Sequence, residues 1–145
     1  LCAVHGLPQK RSGTLKDYLI KNSNTNTVRV VKNQIRGSKE IITKYSVMEY
    51  NKQKNLSLVN IELITGRTHQ IRAHMSSIGN PLLGDGKYGS IEKDKRLGYK
   101  HQALYAYKLA FGKSEDSLSY LNGREFTVKR ENIYFLREFS NKELN

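Results

Sequence analysis

The chain has 145 residues, 37% of them hydrophobic, which is enough for one modest core. Its 25 Lys and Arg against 13 Asp and Glu give a net charge of +12 that is spread along the chain; such a field suits a polyanionic partner, or simply a well-solvated surface. No run approaches the roughly 20 apolar residues of a membrane-spanning helix, and the single cysteine, Cys2, excludes an intramolecular disulfide and fits a reducing compartment, so a cytoplasmic address is expected.

In chain order, Leu1 to Val4 is a short apolar run bounded by Gly6 and Pro8 and reads as a strand. The chain opens on Leu without an initiator Met, so this strand is expected to have lost its beginning. Leu15, Tyr18 and Leu19 stand at i, i+3 and i+4, with Thr14 as an N-cap, and predict a short helix. The polar residues 22–27 break the chain before Val28, Val30 and Val31, and Lys32 to Lys39 forms a second polar loop. Two β-rich runs follow, Ile41 to Tyr50 and Leu56 to Ile64, joined by residues 51–55 and predicted to pair antiparallel. In the second run Val59, Ile61 and Leu63 alternate with Leu58, Asn60 and Glu62, so one face meets the core.

After Thr65-Gly66 the period changes. Ile71, Met75 and Ile78 form the apolar stripe of a helix that Gly79-Asn80-Pro81 ends. Ala103 to Phe111 reads as a strand, and Leu118 to Val128 as a second hairpin turned on Asn122-Gly123 in type I′ geometry. From Arg130 the run Tyr134-Phe135-Leu136 suits strand or helix and precedes a charged end. Together these elements predict an α+β fold, a mainly antiparallel mixed sheet with a few packed helices, in a single domain over residues 1–145.

Polar residues are densest in Leu63-Ile64-Thr65-Gly66-Arg67-Thr68-His69-Gln70-Ile71-Arg72-Ala73-His74-Met75, followed by Gly79-Asn80-Pro81-Leu82-Leu83-Gly84-Asp85. His69, Arg72 and Ser76 fall away from the apolar stripe, so core packing explains only one face of the helix. On periodicity alone Arg67 and Arg72 read as solvated helix charges and Thr68 as a cap. His69 and His74 are turned about 140° apart on a helix of 3.6 residues per turn. With one cysteine and no carboxylate cluster beside them, no metal site is expected.

This segment resembles the last motif of the RluA family of pseudouridine synthases, T-G-R-x-H-Q-I-R-x-H followed by G-x-P-I-x-G-D and an aromatic-containing loop. Lys44-Tyr45-Ser46-Val47 is similar to the family's T-x-Y-x-V segment, and Leu104-Tyr105-Ala106 to its L-H-A strand, with Tyr105 in place of His. Leu1-Cys2-Ala3-Val4-His5-Gly6 resembles the strand that follows the family's active-site tyrosine. The resemblance implies the C-terminal part of a catalytic domain that isomerises uridine to pseudouridine in ribosomal or transfer RNA, without a cofactor. It implies a catalytic role for Arg72 as partner of an aspartate upstream of Leu1, since none of Asp17, Asp85, Asp94 or Asp116 stands in the family's H-R-L-D context. It assigns Arg67, His69, Gln70 and His74 to RNA, with Arg67 equally able to bind phosphate or fix the turn. Lys10, Arg11, Arg36, Lys39, Lys93, Lys95 and Arg96 are basic residues expected in polar loops. A non-catalytic RNA-binding module on the same scaffold is the alternative, and a generic basic interaction domain the third reading.

Overall fold

The structure is a computed structural model that describes residues 1–22, 24–89 and 91–139; the side chains of Ile91 and Lys93 and the charged C-terminal end lie outside it. Its centre is a five-stranded antiparallel sheet built from β1 (Cys2–His5), β2 (Ser12–Asn22), β3 (Thr27–Val31), β4 (Lys39–Asn51) and β5 (Leu56–Leu63). The order across the sheet is β1-β5-β4-β2-β3. The predicted hairpin of β4 and β5 is present, with Asn51 opposite Leu56 and Thr43 opposite Leu63. A bulge at Met48 sets Val47 opposite Val59 but Glu49 opposite Leu58. An extra residue of this kind bends the strand and reassigns its faces, and Met48 joins the core on the far side of the sheet.

The expected helix over Thr14 to Ile20 is instead the middle of β2. A single turn of i, i+3, i+4 matches is too short to be stable alone, whereas the strand gains a full ladder with β4, including Leu15 opposite Thr43 and Asp17 opposite Ile41. The inward residues are Leu15, Asp17 and Leu19, spaced by two. A charged residue in the middle of that inward row hides the alternation from a hydrophobicity pattern.

One helix, α1 (Gln70–Ser77), lies across the sheet face formed by β2, β3 and β4. Ala73 meets Leu19, Val28 and Ile41, while Met75 meets Val4, Tyr45, Val59 and Leu82. Met75 is fully buried, a burial that stabilises by roughly 1.5–3 kcal/mol. The helix ends as predicted. Gly79 takes a left-handed φ of 84°, and the Gly79 and Asn80 N–H groups return to the Ser76 and Met75 carbonyls, the double closure of a Schellman motif.

A second core fills the opposite face of β1 and β5, where Leu1, Ala3, Leu56 and Leu58 meet Tyr99, Ala103, Tyr107, Phe135 and Leu136. Strand β1 is therefore buried on both faces, which explains its unbroken apolar run. Its outer edge is covered too: Ala3 exchanges hydrogen bonds with Ala103 and Leu83, and Tyr105 donates to the Leu1 carbonyl. Cys2 is enclosed there, and burial pushes its thiol up to about 12.

Only part of the expected strand over Ala103 to Phe111 is regular. Residues 103–105 bridge to β1, and β6 (Lys108–Ala110) pairs with β7 (Glu125–Thr127) as a small exposed hairpin. The turn at Asn122-Gly123 has φ −51° and ψ 127° at Asn122 and φ 72° at Gly123, a type II and not a type I′ geometry. It follows a short 3₁₀ turn at Ser119–Leu121. Tyr134–Glu138 is also 3₁₀, which decides the choice left open between strand and helix. Lys39 lies in β4, and Lys95 and Arg96 lie in α2 (Ile91–Arg96), not in loops.

Gly84 joins the two halves of the molecule. It is buried, has φ 76°, and a Cβ there would collide with the His101 carbonyl. Gly84→Ala should cost about 3 kcal/mol, from strain plus overpacking. Urea unfolding monitored by tyrosine fluorescence measures this.

Candidate functional site

The strand-to-helix junction after β5 is fixed by Gln70, the first residue of α1. Its side-chain amide donates to the Ile42 carbonyl at 3.1 Å and to Thr43 Oγ1 at 3.0 Å. Its Oε1 accepts from the Thr65 hydroxyl at 2.9 Å and the Arg67 N–H at 3.0 Å. Thr68 does not cap the helix: the N-cap is His69, in the left-handed conformation at φ 53°, ψ 17°, with no side-chain cap bond. A non-glycine residue in that region is uncommon and costs roughly 1–3 kcal/mol.

One turn further on, His74 is fully buried. Its Nε2 lies 3.2 Å from Asp17 Oδ2, and its Nδ1 lies 2.9 Å from Thr43 Oγ1. A carboxylate only accepts, so Nε2 carries the proton and Nδ1 accepts from the Thr43 hydroxyl. Lys32 closes the chain on Asp17 at 2.9 Å and 3.0 Å. The result is a continuous polar line, Gln70 to Thr43 to His74 to Asp17 to Lys32, running from α1 through β4 to β2. Burial holds the His74 pKa below its ordinary 6.5, although the Asp17 hydrogen bond opposes the shift.

The next loop carries Asp85, which is fully buried. Arg72 grips it side-on, Nε to Oδ2 and Nη2 to Oδ1, both at 2.7 Å. Asp85 Oδ1 also accepts the Lys87 and Tyr88 N–H groups at 2.9 Å and 3.1 Å. Burial alone would raise the Asp85 pKa, but the Arg72 bond and these two backbone bonds together lower it, so the group stays ionised. The hydrogen bond to Asp85 likewise raises the Arg72 pKa. The Tyr88 ring lies 5.2 Å from the Arg72 guanidinium carbon, and the Tyr88 hydroxyl lies 3.0 Å from His69 Nδ1. Burial, then repulsion from Arg72 and Lys87, lowers the His69 pKa.

Among the residues singled out in the sequence, Arg67 is exposed and His69 half-buried, so both can meet a ligand. Gln70 and His74 are enclosed, at 2% and 0% exposure, and their polar atoms are already engaged within the protein. Their expected contact with RNA is closed off in this conformation, because an enclosed side chain reaches a ligand only if the helix leaves its seat. The partner the chain itself gives to Arg72 is Asp85; that pair uses one edge of the guanidinium and leaves the Nη1 edge to other acceptors. Among the described residues no cluster of His, Cys, Asp and Glu could hold a metal ion, and no helix is long and apolar enough to cross a membrane.

Three residues of this region escaped sequence reasoning. Asp17 and Tyr88 are separated from α1 along the chain, and only tertiary pairing brings them beside it. Asp94, fully buried, accepts the Gly84 N–H at 2.7 Å and faces His5 Nε2 at 3.1 Å. The only sequence hint to Asp17 and Asp94 was a lone carboxylate among aliphatic or basic neighbours.

Two consequences can be measured. Asp85→Asn removes the counter-charge of a largely buried Arg72 and should cost about 3 kcal/mol, the lower end for a broken buried pair because Arg72 is slightly exposed. For His74 the folded pKa lies below 6.5, so the unfolded chain takes up a proton that the folded chain refuses. Its contribution to stability is complete above about pH 6.5 and is lost as pH falls toward the folded pKa. His74→Gln should flatten the fall in urea-unfolding stability below about pH 6.5; an unchanged slope would mean that His74 does not titrate on unfolding.

The sequence model of the RNA pseudouridylate synthase family matches residues 1–77. An uncharacterized RNA pseudouridine synthase of Mycoplasma genitalium is 45% identical over 101 residues, 69% of this chain and 31% of that protein. Ribosomal large subunit pseudouridine synthase C of Haemophilus influenzae is 34% identical over 114 residues, 77% of this chain and 34% of that protein. The chain thus spans about a third of the length of these relatives. Human RNA pseudouridylate synthase domain containing 4 superposes with a TM-score of 0.67 at 21% identity, over 94% of this chain and 59% of that one, and so shares the fold. With the matched family model covering the sheet, the junction and α1, the chain belongs to the RNA pseudouridylate synthase family.

Proposed function

We propose that the chain forms the C-terminal part of the catalytic domain of an RNA pseudouridine synthase, acting on uridines of structured RNA, with ribosomal RNA as the first candidate. The observation that carries this reading is the seat of Arg72. It stands on α1 at a junction matching the family's motif, braced by Asp85 along one edge and by the Tyr88 ring. The Nη1 edge is left for a second carboxylate, an essential aspartate that this reading sets outside residues 1–145. The name of the Haemophilus relative supports a ribosomal target.

The reaction detaches uracil from ribose at N1, turns the base and rejoins it through C5, an isomerisation with no change of oxidation state. A cation within a few ångströms keeps an aspartate ionised, lowering its pKa by about 1–3 units. Arginine suits the task because its planar fork can hold two carboxylates at once and never loses its charge. Arg67 and His69 stand where the RNA would approach. The base must leave its stack at a cost of a few kcal/mol, and a chain of net charge +12 can offset that cost through backbone contacts.

A second reading, a binding module without catalysis, draws on one observation: the charge of Arg72 is already balanced by Asp85. The two separate in a strain lacking the gene, complemented with the full-length protein, its Arg72→Lys variant or residues 1–145. The enzyme reading expects a missing pseudouridine that the full-length protein restores, with Arg72→Lys slower by on the order of 10². Near-normal turnover by Arg72→Lys sinks the pairing. Restoration by residues 1–145 alone sinks the idea that the aspartate lies outside them, and a deletion that loses no pseudouridine favours the binding module.

A further inference from the structure

Tyr88 makes more connections to the site than any role in packing requires. Its backbone N–H donates to Asp85 Oδ1, and its carbonyl accepts the Ser76 hydroxyl at 2.8 Å. Its ring lies against the Arg72 guanidinium and meets the His69 imidazole edge-on, at 5.7 Å and 75°. Its hydroxyl accepts the Val28 N–H at 2.8 Å and lies 3.0 Å from His69 Nδ1. The loop of residues 81–89, helix α1 and strand β3 therefore meet on one phenol.

The proton count on that phenol orients the imidazole. The Val28 N–H can only donate, so it takes one lone pair of the hydroxyl; among the described residues His69 Nδ1 is the one group left to accept the phenolic proton, which would have no acceptor if Nδ1 donated instead. With Nδ1 accepting, a neutral imidazole carries its proton on Nε2. Lys87, whose Nζ is bound to the Asn26 carbonyl at 3.0 Å, and Arg72 both disfavour a second proton on the ring. The left-handed backbone of His69 is the kind of local strain that accumulates where a side chain is held for use.

We propose that Tyr88 is a positioning residue with two separable parts: its ring steadies Arg72, and its hydroxyl sets His69 so that Nε2–H is presented to an acceptor oxygen of the RNA. This inference rests on the reading of the chain as part of an RNA pseudouridine synthase and adds to it the residue that orders the site.

Two variants of the full-length protein test it. Tyr88→Phe keeps the ring and removes the hydroxyl, while Tyr88→Leu removes both. Each leaves the Val28 N–H without its acceptor, so any loss of fold stability common to both cannot produce a difference between them. Nitrogen NMR of the imidazoles should show His69 protonated on Nε2 in the wild type and a mixture of tautomers in Tyr88→Phe. Losing one positioned hydrogen bond of about 1 kcal/mol corresponds to roughly fivefold. Tyr88→Phe is therefore expected to raise KM for RNA by about that factor with kcat little changed, and Tyr88→Leu to lower kcat as well, by about tenfold.

The inference is overturned if the His69 tautomer is the same in Tyr88→Phe and wild type, or if both variants lower kcat equally with KM unmoved, which would make Tyr88 scaffolding only. If the wild type forms no pseudouridine, the enzyme reading fails instead. The NMR spectra and RNA affinities of the same three proteins then decide the role of Tyr88 by themselves.

Discussion

Helix α1 can lie on the sheet with Gln70 and His74 turned inward, and Arg72 turned to the loop that follows it, only because each of these groups finds a partner. An amide, a guanidinium and an imidazole taken out of water without partners would cost several kcal/mol. Gln70 is satisfied by Ile42 and Thr43 of β4, His74 by Thr43 and Asp17, and Arg72 by Asp85. Apolar contact through Ala73 and Met75 supplies the favourable burial, and the polar partners select one seat. Rotating the helix by a single residue would break all three sets of hydrogen bonds.

That seat depends in turn on two segments remote along the chain. Strand β2 contributes Asp17 from the middle of its inward row, where Lys32 balances the carboxylate. The loop after α1 contributes Asp85, and it is aimed there because Leu82 and Leu83 are tied to β1 and Gly84 turns with a positive φ beside the His101 carbonyl. Asp94 holds the same glycine from the other side. The second core, beneath β1 and β5, thus bears on the position of Arg72 although it contributes no residue to the site.

Electrostatically the junction is a graded arrangement. The enclosed charges are paired, as low polarity demands, while Arg67 and Lys87 remain exposed. Between the two layers lies His69, held neutral by burial and by its cationic neighbours. A neutral hydrogen-bond donor set among fixed cations is suited to recognising an oxygen-rich polyanion without carrying a further buried charge.

By itself the sequence determined what local pattern and short-range chemistry can determine. Period-two alternation and the Asn-rich connection specified the β4–β5 hairpin, and the Ile71/Met75/Ile78 stripe with Gly79-Asn80 specified α1 and its end. The motif from Thr65 to Asp85 marked the family and the candidate site. Tertiary structure decided the rest, because the deciding contacts lie far apart in sequence. Asp17 in an inward row made β2 look helical until its partner His74, 57 residues away, was in view. The run from Ala103 to Phe111 could not by itself reveal that its first part caps the edge of β1. Whether Gln70 and His74 face solvent or sheet was equally open, since a helix pattern gives the face but not the partner that makes burying a polar side chain affordable.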